Sequence, residues 1–303
     1  MSALPVALVG LGEVGEVLAR DLHAAGGVTL GAWDRLFPQP ASAPRRLADS
    51  LPYLERAASM AQAVRGRSLV ISAVTAAECC AAAAEVARSI ERGAFYLDLN
   101  SVSPGTKAQA AHAIEAAGGR YVEAAVMSPI SPQRLGAPLW LAGPHAAEFL
   151  PQARTLGFTG AAVYSASPGK AAAAKMCRSV IVKGMEALLA ESLVTARHYQ
   201  VEDAVLSSLK DLLPAADWSH LARYMIGRSL QHGARRAEEM REAVRTVAEA
   251  GLDPWMSRGC VERQQWAAEH ADAQQVEGLA GVLDALLPEL SLPPGERTGS
   301  GTP

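Results

Sequence analysis

Six residues near the N-terminus, Gly10-Leu11-Gly12-Glu13-Val14-Gly15, constrain the fold of this chain more than any other feature. They follow a short apolar run, Val6–Val9, and open a stretch of helical composition from Glu13 to Ala25. A strand that passes through three such glycines into a helix has a definite physical use. The first glycine permits the tight turn, the second lets the backbone approach a pyrophosphate, and the third lets helix and strand pack closely. The diphosphate then meets the N–H groups and positive end of the helix. A confirming acid is expected about 20 residues further on, at the end of the second strand. Asp34 stands there, directly after the apolar run Val28–Trp33, and could accept hydrogen bonds from a ribose diol. Gly10, Leu11, Gly12, Glu13, Val14, Gly15 and Asp34 are therefore candidate contacts for NAD or NADP. Asp34 favours NAD, because a carboxylate repels a 2′-phosphate. Arg35, and Arg45-Arg46 in the loop expected next, could instead bind that phosphate or stay solvated. A flavin is disfavoured by the absence of a second dinucleotide fingerprint.

The remainder of the first half alternates in the same way. Leu69–Val74, Phe95–Leu99, Tyr121–Val126, Leu139–Ala142 and Gly160–Tyr164 are short apolar runs with Ala-rich helical stretches among them, and Pro38, Pro40 and Pro44 mark a loop. This alternation predicts a doubly wound, mainly parallel α/β sheet, a Rossmann domain over residues 1–167. From Gly169 to Gln200 there is no proline, which predicts one long helix joining the sheet to an all-α domain over 168–290. That domain is expected to break at Pro214 and at Gly251-Leu252-Asp253-Pro254, and the polar, turn-rich residues 291–303 read as a disordered tail.

With 303 residues, 50% hydrophobic and 19% charged, the chain is globular in composition, and a formal net charge of −3 gives no footing for nucleic acid or an anionic membrane surface. The apolar run Leu4–Gly12 lacks a basic leader and breaks into glycines too soon for a signal peptide or membrane span. Cys79, Cys80, Cys177 and Cys260 have neither metal-ligand nor disulfide spacing, and the adjacent pair suits a buried helix in a reducing compartment. No metal site is expected, and the cytoplasm is the expected location.

Three further segments carry a family resemblance. Asp98-Leu99-Asn100-Ser101-Val102-Ser103-Pro104 resembles the nicotinamide-side loop of the β-hydroxyacid dehydrogenases, relatives of 6-phosphogluconate dehydrogenase. Glu123-Ala124-Ala125-Val126-Met127-Ser128-Pro129 stands where that family carries a substrate-binding segment, and Gly169 with Lys175-Met176-Cys177-Arg178-Ser179 where it carries a glycine, a catalytic lysine and an asparagine. The resemblance runs from residue 4 to about 290. It implies cofactor contacts at Val74, Thr75, Asn100 and Ser101, a substrate clamp at Met127, Ser128 and Pro129, and catalysis by Lys175 assisted by Ser179. The C-terminal half, with its His232-to-Met240 segment, resembles a less characterised branch with its own helical domain.

Departures narrow the chemistry. Ser-Gly-Gly of the family clamp becomes Met127-Ser128-Pro129, its asparagine becomes Ser179, and its later lysine-aspartate pair becomes Glu238-Glu239. Val182 stands where 6-phosphogluconate dehydrogenases carry the glutamate that protonates their product, so oxidative decarboxylation of that sugar acid is not expected. Alcohol–carbonyl interconversion remains. Hydride transfer at a carbinol carbon needs a group that takes the hydroxyl proton or returns it, and a partly buried lysine near a positively charged nicotinamide can do so. Ser179, four residues on, shares the helical face of Lys175. Lys170 and Lys183 are expected at the surface or behind the site, and Cys177, on the far side of the helix, is expected to pack.

His232, Arg235 and Arg236 could receive an anionic substrate group or pair with Glu238 and Glu239; His220 beside Trp218 could line a cleft or be structural. An imine reductase and a non-catalytic NAD(P) sensor are alternatives to the dehydrogenase. The long helix, too apolar to be covered by one small domain, predicts a homodimer.

Overall fold

A computed structural model describes residues 3–209 and 217–287, the side chain of Thr195 excepted. It contains two compact units, 1–177 and 178–303. The first is built from β1 (Leu4–Val9), α1 (Glu13–Ala25), β2 (Val28–Trp33), α2 (Ala43–Ser50), β3 (Leu54–Arg56), α3 (Met60–Val64), β4 (Leu69–Ser72), α4 (Cys79–Ala87), β5 (Phe95–Asp98), α5 (Pro104–Ala116), β6 (Arg120–Val126), β7 (Leu139–Ala142), α6 (Ala146–Thr155) and β8 (Ala161–Ser165). The strands form one sheet in the order β3-β2-β1-β4-β5-β6-β7-β8. Pairing is parallel throughout except between β6 and β7.

Alternation along β1 explains why helices cover both faces. Val6 and Leu8 join a core with Leu18 and Leu22 of α1, whereas Ala7 and Val9 join a second core with Met60, Val64 and Ala83 on the other face. The doubly wound, mainly parallel sheet expected from the apolar runs is present. Two local expectations are corrected. Pro44 does not extend a loop but occupies the first turn of α2, behind an N-cap at Ser42, so Arg45 and Arg46 are helical. β3 is an additional edge strand.

The helix expected over Gly169–Gln200 is present as α7 (Lys170–His198). The compact units divide inside it, at Cys177/Arg178. The reason is packing: Ala171, in the first turn of α7, is fully buried with Ala125 of β6 and Ala142 of β7. Beyond Arg178 the second unit continues α7 and adds α8 (Glu202–Ser208), α9 (Trp218–Glu249), α10 (Trp255–Glu269) and α11 (Gly278–Leu286). The break expected at 251–254 separates α9 from α10. Gly233 permits the close approach of these two helices, since a Cβ there would stand 2.5 Å from the Gln264 carbonyl oxygen. Just before it, His232 has non-helical φ/ψ of −127°/15°, and α9 kinks there. Pro214 and the tail expected at 291–303 lie outside the described residues.

Candidate active site

The glycine turn divides its labour in a way that sequence spacing alone does not reveal. Gly10 has φ +93°, and a Cβ there would meet the Ala73 carbonyl oxygen at 2.4 Å. A Cβ at Gly15 would meet the Gly10 carbonyl oxygen at 2.3 Å. Both glycines are required by the chain itself. At Gly12, which is exposed, a Cβ would meet nothing within 4 Å. The protein does not need Gly12 for its own packing.

Gly12 is also the N-cap of α1, and no side chain caps that helix, whereas Ser42, Ser59 and Ser103 cap α2, α3 and α5. An uncapped first turn leaves amide donors and the positive end of the helix to an anion. Leu11 buries its side chain in the core while its N–H donates to Asp34 Oδ2 at 2.8 Å. Asp34 Oδ1 accepts from the Leu36 amide at 2.9 Å. These two bonds hold the carboxylate beside the turn, at the C-terminal end of β2. Glu13 is exposed and Val14 half-buried on the first turn of α1. The arginines that could have received a 2′-phosphate are engaged elsewhere. Arg35 pairs with Glu78 at 2.6 Å, Arg45 with Asp49 at 2.7 Å, and Arg46 donates to the Ala41 carbonyl.

On the other side of β1, the loops after β4 and β5 are fastened together. Thr75 is exposed and Ser101 half-buried, but Asn100 is only 3% exposed. Its Oδ1 accepts from the Val74 amide at 2.7 Å and its Nδ2 donates to Ser72 Oγ at 3.0 Å. Beneath it lies a cluster that the sequence did not single out. Asp98, fully buried, accepts from the Asn100 amide and from Lys107 Nζ at 2.9 Å, and from the Tyr121 hydroxyl at 2.8 Å. Lys107, 1% exposed, also donates to the Asp98 carbonyl at 2.9 Å. Burial, then the Asp98 charge, push the Tyr121 hydroxyl well above its ordinary range and the Cys79 thiol up to about 12. A carboxylate ending an apolar strand needs a partner, and a lysine one turn into the next helix was the available signal.

β6 carries the link to α7. The Glu123 carboxylate, fully buried, accepts from the Gly169 amide and, at 2.6 Å, from the Ala172 amide. Gly169 has φ +88°, and a Cβ there would crowd Pro104 at 3.2 Å. Burial raises the Glu123 carboxyl above its ordinary range, opposed by the Lys107 charge and these two amides. Glu123 thus caps the first turn of α7. Lys175 is half-buried, one turn beyond Ala171, whose cluster includes the half-buried Met127. Ser128 Oγ donates to Gln133 Oε1 at 3.2 Å, and Pro129 is exposed.

In the second unit, Ser179 is 7% exposed and its hydroxyl accepts from Lys183 Nζ at 3.1 Å. Lys183, expected at the surface or behind the site, is buried and pairs with Glu239 at 2.7 Å. Arg236 turns inward to Glu186, not to Glu238 or Glu239, and both are buried. Burial lowers the Arg236 guanidinium and raises the Glu186 carboxyl from their ordinary ranges, each opposed by the other's charge. Arg235 is exposed, 4.0 Å from Glu239, and His232 is half-buried at the kink. His220 is exposed on the first turn of α9. Cys177 is exposed rather than packed. Among the described residues, no group of His, Cys, Asp or Glu could hold a metal ion.

Residues 5–166 match the NAD-binding domain of 6-phosphogluconate dehydrogenase. The chain belongs to that family. Residues 196–267 match a domain of unknown function, DUF1932. A conserved hypothetical protein from Sinorhizobium meliloti 1021 is 35% identical, with 93% of this chain and 95% of that chain covered and a TM-score of 0.77. The 3-hydroxyisobutyrate dehydrogenase of Mycobacterium tuberculosis, at 18% identity, shares the fold over 94% of this chain and 99% of its own, with a TM-score of 0.70. Human mitochondrial 3-hydroxyisobutyrate dehydrogenase is 22% identical over 220 residues, which span 72% of this chain and 64% of that relative. The stretch matching the 6-phosphogluconate dehydrogenase NAD-binding domain holds the glycine turn, Asp34, Asn100 and Glu123, whereas Lys175 and Ser179 stand between the two matched stretches.

Proposed function

We propose that this chain is an NAD(P)-dependent oxidoreductase acting on CH–OH, which interconverts the alcohol and carbonyl forms of a β-hydroxyacid-like or related polar substrate. The observation that carries this reading is Gly12: an exposed glycine that the fold does not require, at an uncapped helix end beside a held carboxylate. Gly10–Gly15 would hold the pyrophosphate, Asp34 the adenosine ribose, and the loops at Val74–Thr75 and Asn100–Ser101 the nicotinamide half. A bound nicotinamide dinucleotide supplies or takes the hydride. Lys175 passes the proton to the carbonyl oxygen on reduction and takes it from the hydroxyl on oxidation. Met127 and Ser128 border the substrate.

The test is a panel of hydroxy acids, amines and imines with both dinucleotides, followed by the absorbance of reduced nicotinamide. Turnover of a hydroxy acid supports the proposal. Turnover of an imine alone, or binding without turnover, overturns it.

NAD is the preferred dinucleotide. Asp34 faces the turn, and Arg35, Arg45 and Arg46 are occupied by Glu78, Asp49 and the Ala41 carbonyl. Asp34→Ser is expected to weaken NAD by about tenfold, the worth of a charge-assisted hydrogen bond, while NADP improves relative to it. Titration of both dinucleotides into the variant checks this, and an unchanged NAD-to-NADP ratio contradicts it.

The chain acts as a homodimer. Ile181 and Leu188 of α7, seven residues apart and so on one helical face, are 66% and 57% exposed. A second copy of the chain covers them. Light scattering is expected to give twice 31.7 kDa for the wild type and the monomer mass for Ile181→Glu/Leu188→Glu. A monomeric wild type counts against the dimer. Among the described residues no helix is long and apolar enough to cross a membrane, and Cys79, Cys80, Cys177 and Cys260 form no disulfide; a cytoplasmic location is inferred from the thiols.

A further inference from the structure

The sheet order allots the two halves of a dinucleotide to different strands. β2, which carries Asp34 at its end, lies on one side of β1, and β4 and β5 lie on the other. With the pyrophosphate at Gly10–Gly15 and the adenosine ribose at Asp34, the nicotinamide half falls over the loops that follow β4 and β5. Between those two loops, the Asn100 side chain takes the Val74 amide at 2.7 Å. Asn100 is itself held at its own amide by Asp98 Oδ1, at 2.9 Å. Asp98 is held in turn by Lys107 Nζ, which bonds both its carboxylate and its carbonyl at 2.9 Å. Tyr121 fills the other carboxylate oxygen at 2.8 Å.

A lysine and an aspartate that are 1% and 0% exposed lose nearly all hydration, so the pair is a costly way to hold a core that an apolar pair would also fill. What an apolar pair could not do is fix the direction of the Asn100 amide, and through it the direction of the Val74 N–H. The geometry points to Lys107 as a positioning residue for nicotinamide binding, acting through Asp98 and Asn100 on the Val74–Thr75 loop. It touches neither dinucleotide nor substrate. This inference rests on the dinucleotide reading given above and adds to it a residue outside the glycine turn.

Reduced dinucleotide and ADP-ribose, each titrated into the folded full chain, separate the two halves of the ligand. In Lys107→Met the affinity for the reduced dinucleotide is expected to fall by about tenfold or more, as for loss of a charged hydrogen bond. ADP-ribose, which spans only Asp34 and the glycine turn, should change by less than about twofold. Asn100→Ala leaves the Asp98–Lys107 pair intact and should reproduce the same selective loss, so a Lys107→Met chain that does not fold leaves the proposal open to refutation. In the double variant the losses should not add, because both substitutions cut one chain of contacts. Equal losses for both ligands, no loss for either, or additive losses overturn the positioning role. A wild type that binds ADP-ribose and dinucleotide keeps the dinucleotide reading whatever the variants do; a wild type that binds neither overturns that reading instead.

Discussion

Lys175→Ala is expected to lower kcat by about a hundredfold to ten-thousandfold, the usual worth of a positioned acid or base. The affinity for dinucleotide should hardly change, because the glycine turn and Asp34 belong to other elements. Lys175→Arg should not restore the rate, since a guanidinium keeps its proton at any working pH and cannot cycle. Half-burial of Lys175 on a helix whose first turn is packed against β6 and β7 suits this role, because the side chain is anchored without being sealed. Steady-state kinetics on a substrate found by the panel decides the matter. A variant that binds dinucleotide normally and turns over within a few fold of wild type makes Lys175 structural. The proton would then have to come from elsewhere, with His232 and His220 the first residues to substitute.

The second large effect is loss of dinucleotide binding in Gly12→Val with the fold retained. The valine side chain enters space that the chain leaves open, so the melting temperature should stay close to wild type while calorimetry detects no binding. Gly15→Val supplies the contrast. Its Cβ meets the Gly10 carbonyl oxygen at 2.3 Å, backbone that cannot swing away, so α1 must separate from β1 and the variant should unfold. The same motif therefore yields one binding variant and one folding variant. Unchanged affinity in Gly12→Val would remove the pyrophosphate from this turn.

How much of this was legible in the sequence depends on how local the signal was. β2 and β7 have the ends expected, because a run such as Val28–Trp33 is bounded on both sides by glycine or charge. β3 escaped notice because it has three residues, two of them exposed, and so shows no apolar run. Pro44 misled because proline breaks a helix interior but suits its first turn, and only the Ser42 cap distinguishes the two cases. Arg236 reads from the sequence as receiving an anionic group or pairing with Glu238 or Glu239; its partner, Glu186, is fifty residues away, and no spacing rule reaches that far. Lys107 was passed over because buried lysines are rare, and the partner that makes this one tolerable is set by the end of a neighbouring strand. Asn100 reads from the sequence as a cofactor contact, and its side chain also holds the Val74 loop from below.

The carboxylate of Glu123 brackets a long excursion of the chain. The chain leaves β6 at Val126, three residues past Glu123, and returns to the Glu123 side chain at Gly169 and Ala172, before Lys175 is reached. Inside that bracket lies the stretch 127–138 between β6 and β7, which carries Met127, Ser128 and Pro129 and includes several exposed positions. Insertions or replacements there can reshape this segment without shifting the helix that carries Lys175, because the height of that helix is set by a residue upstream of the change. If Lys175 transfers the proton as proposed, such insulation makes 127–138 the segment in which to engineer a new specificity.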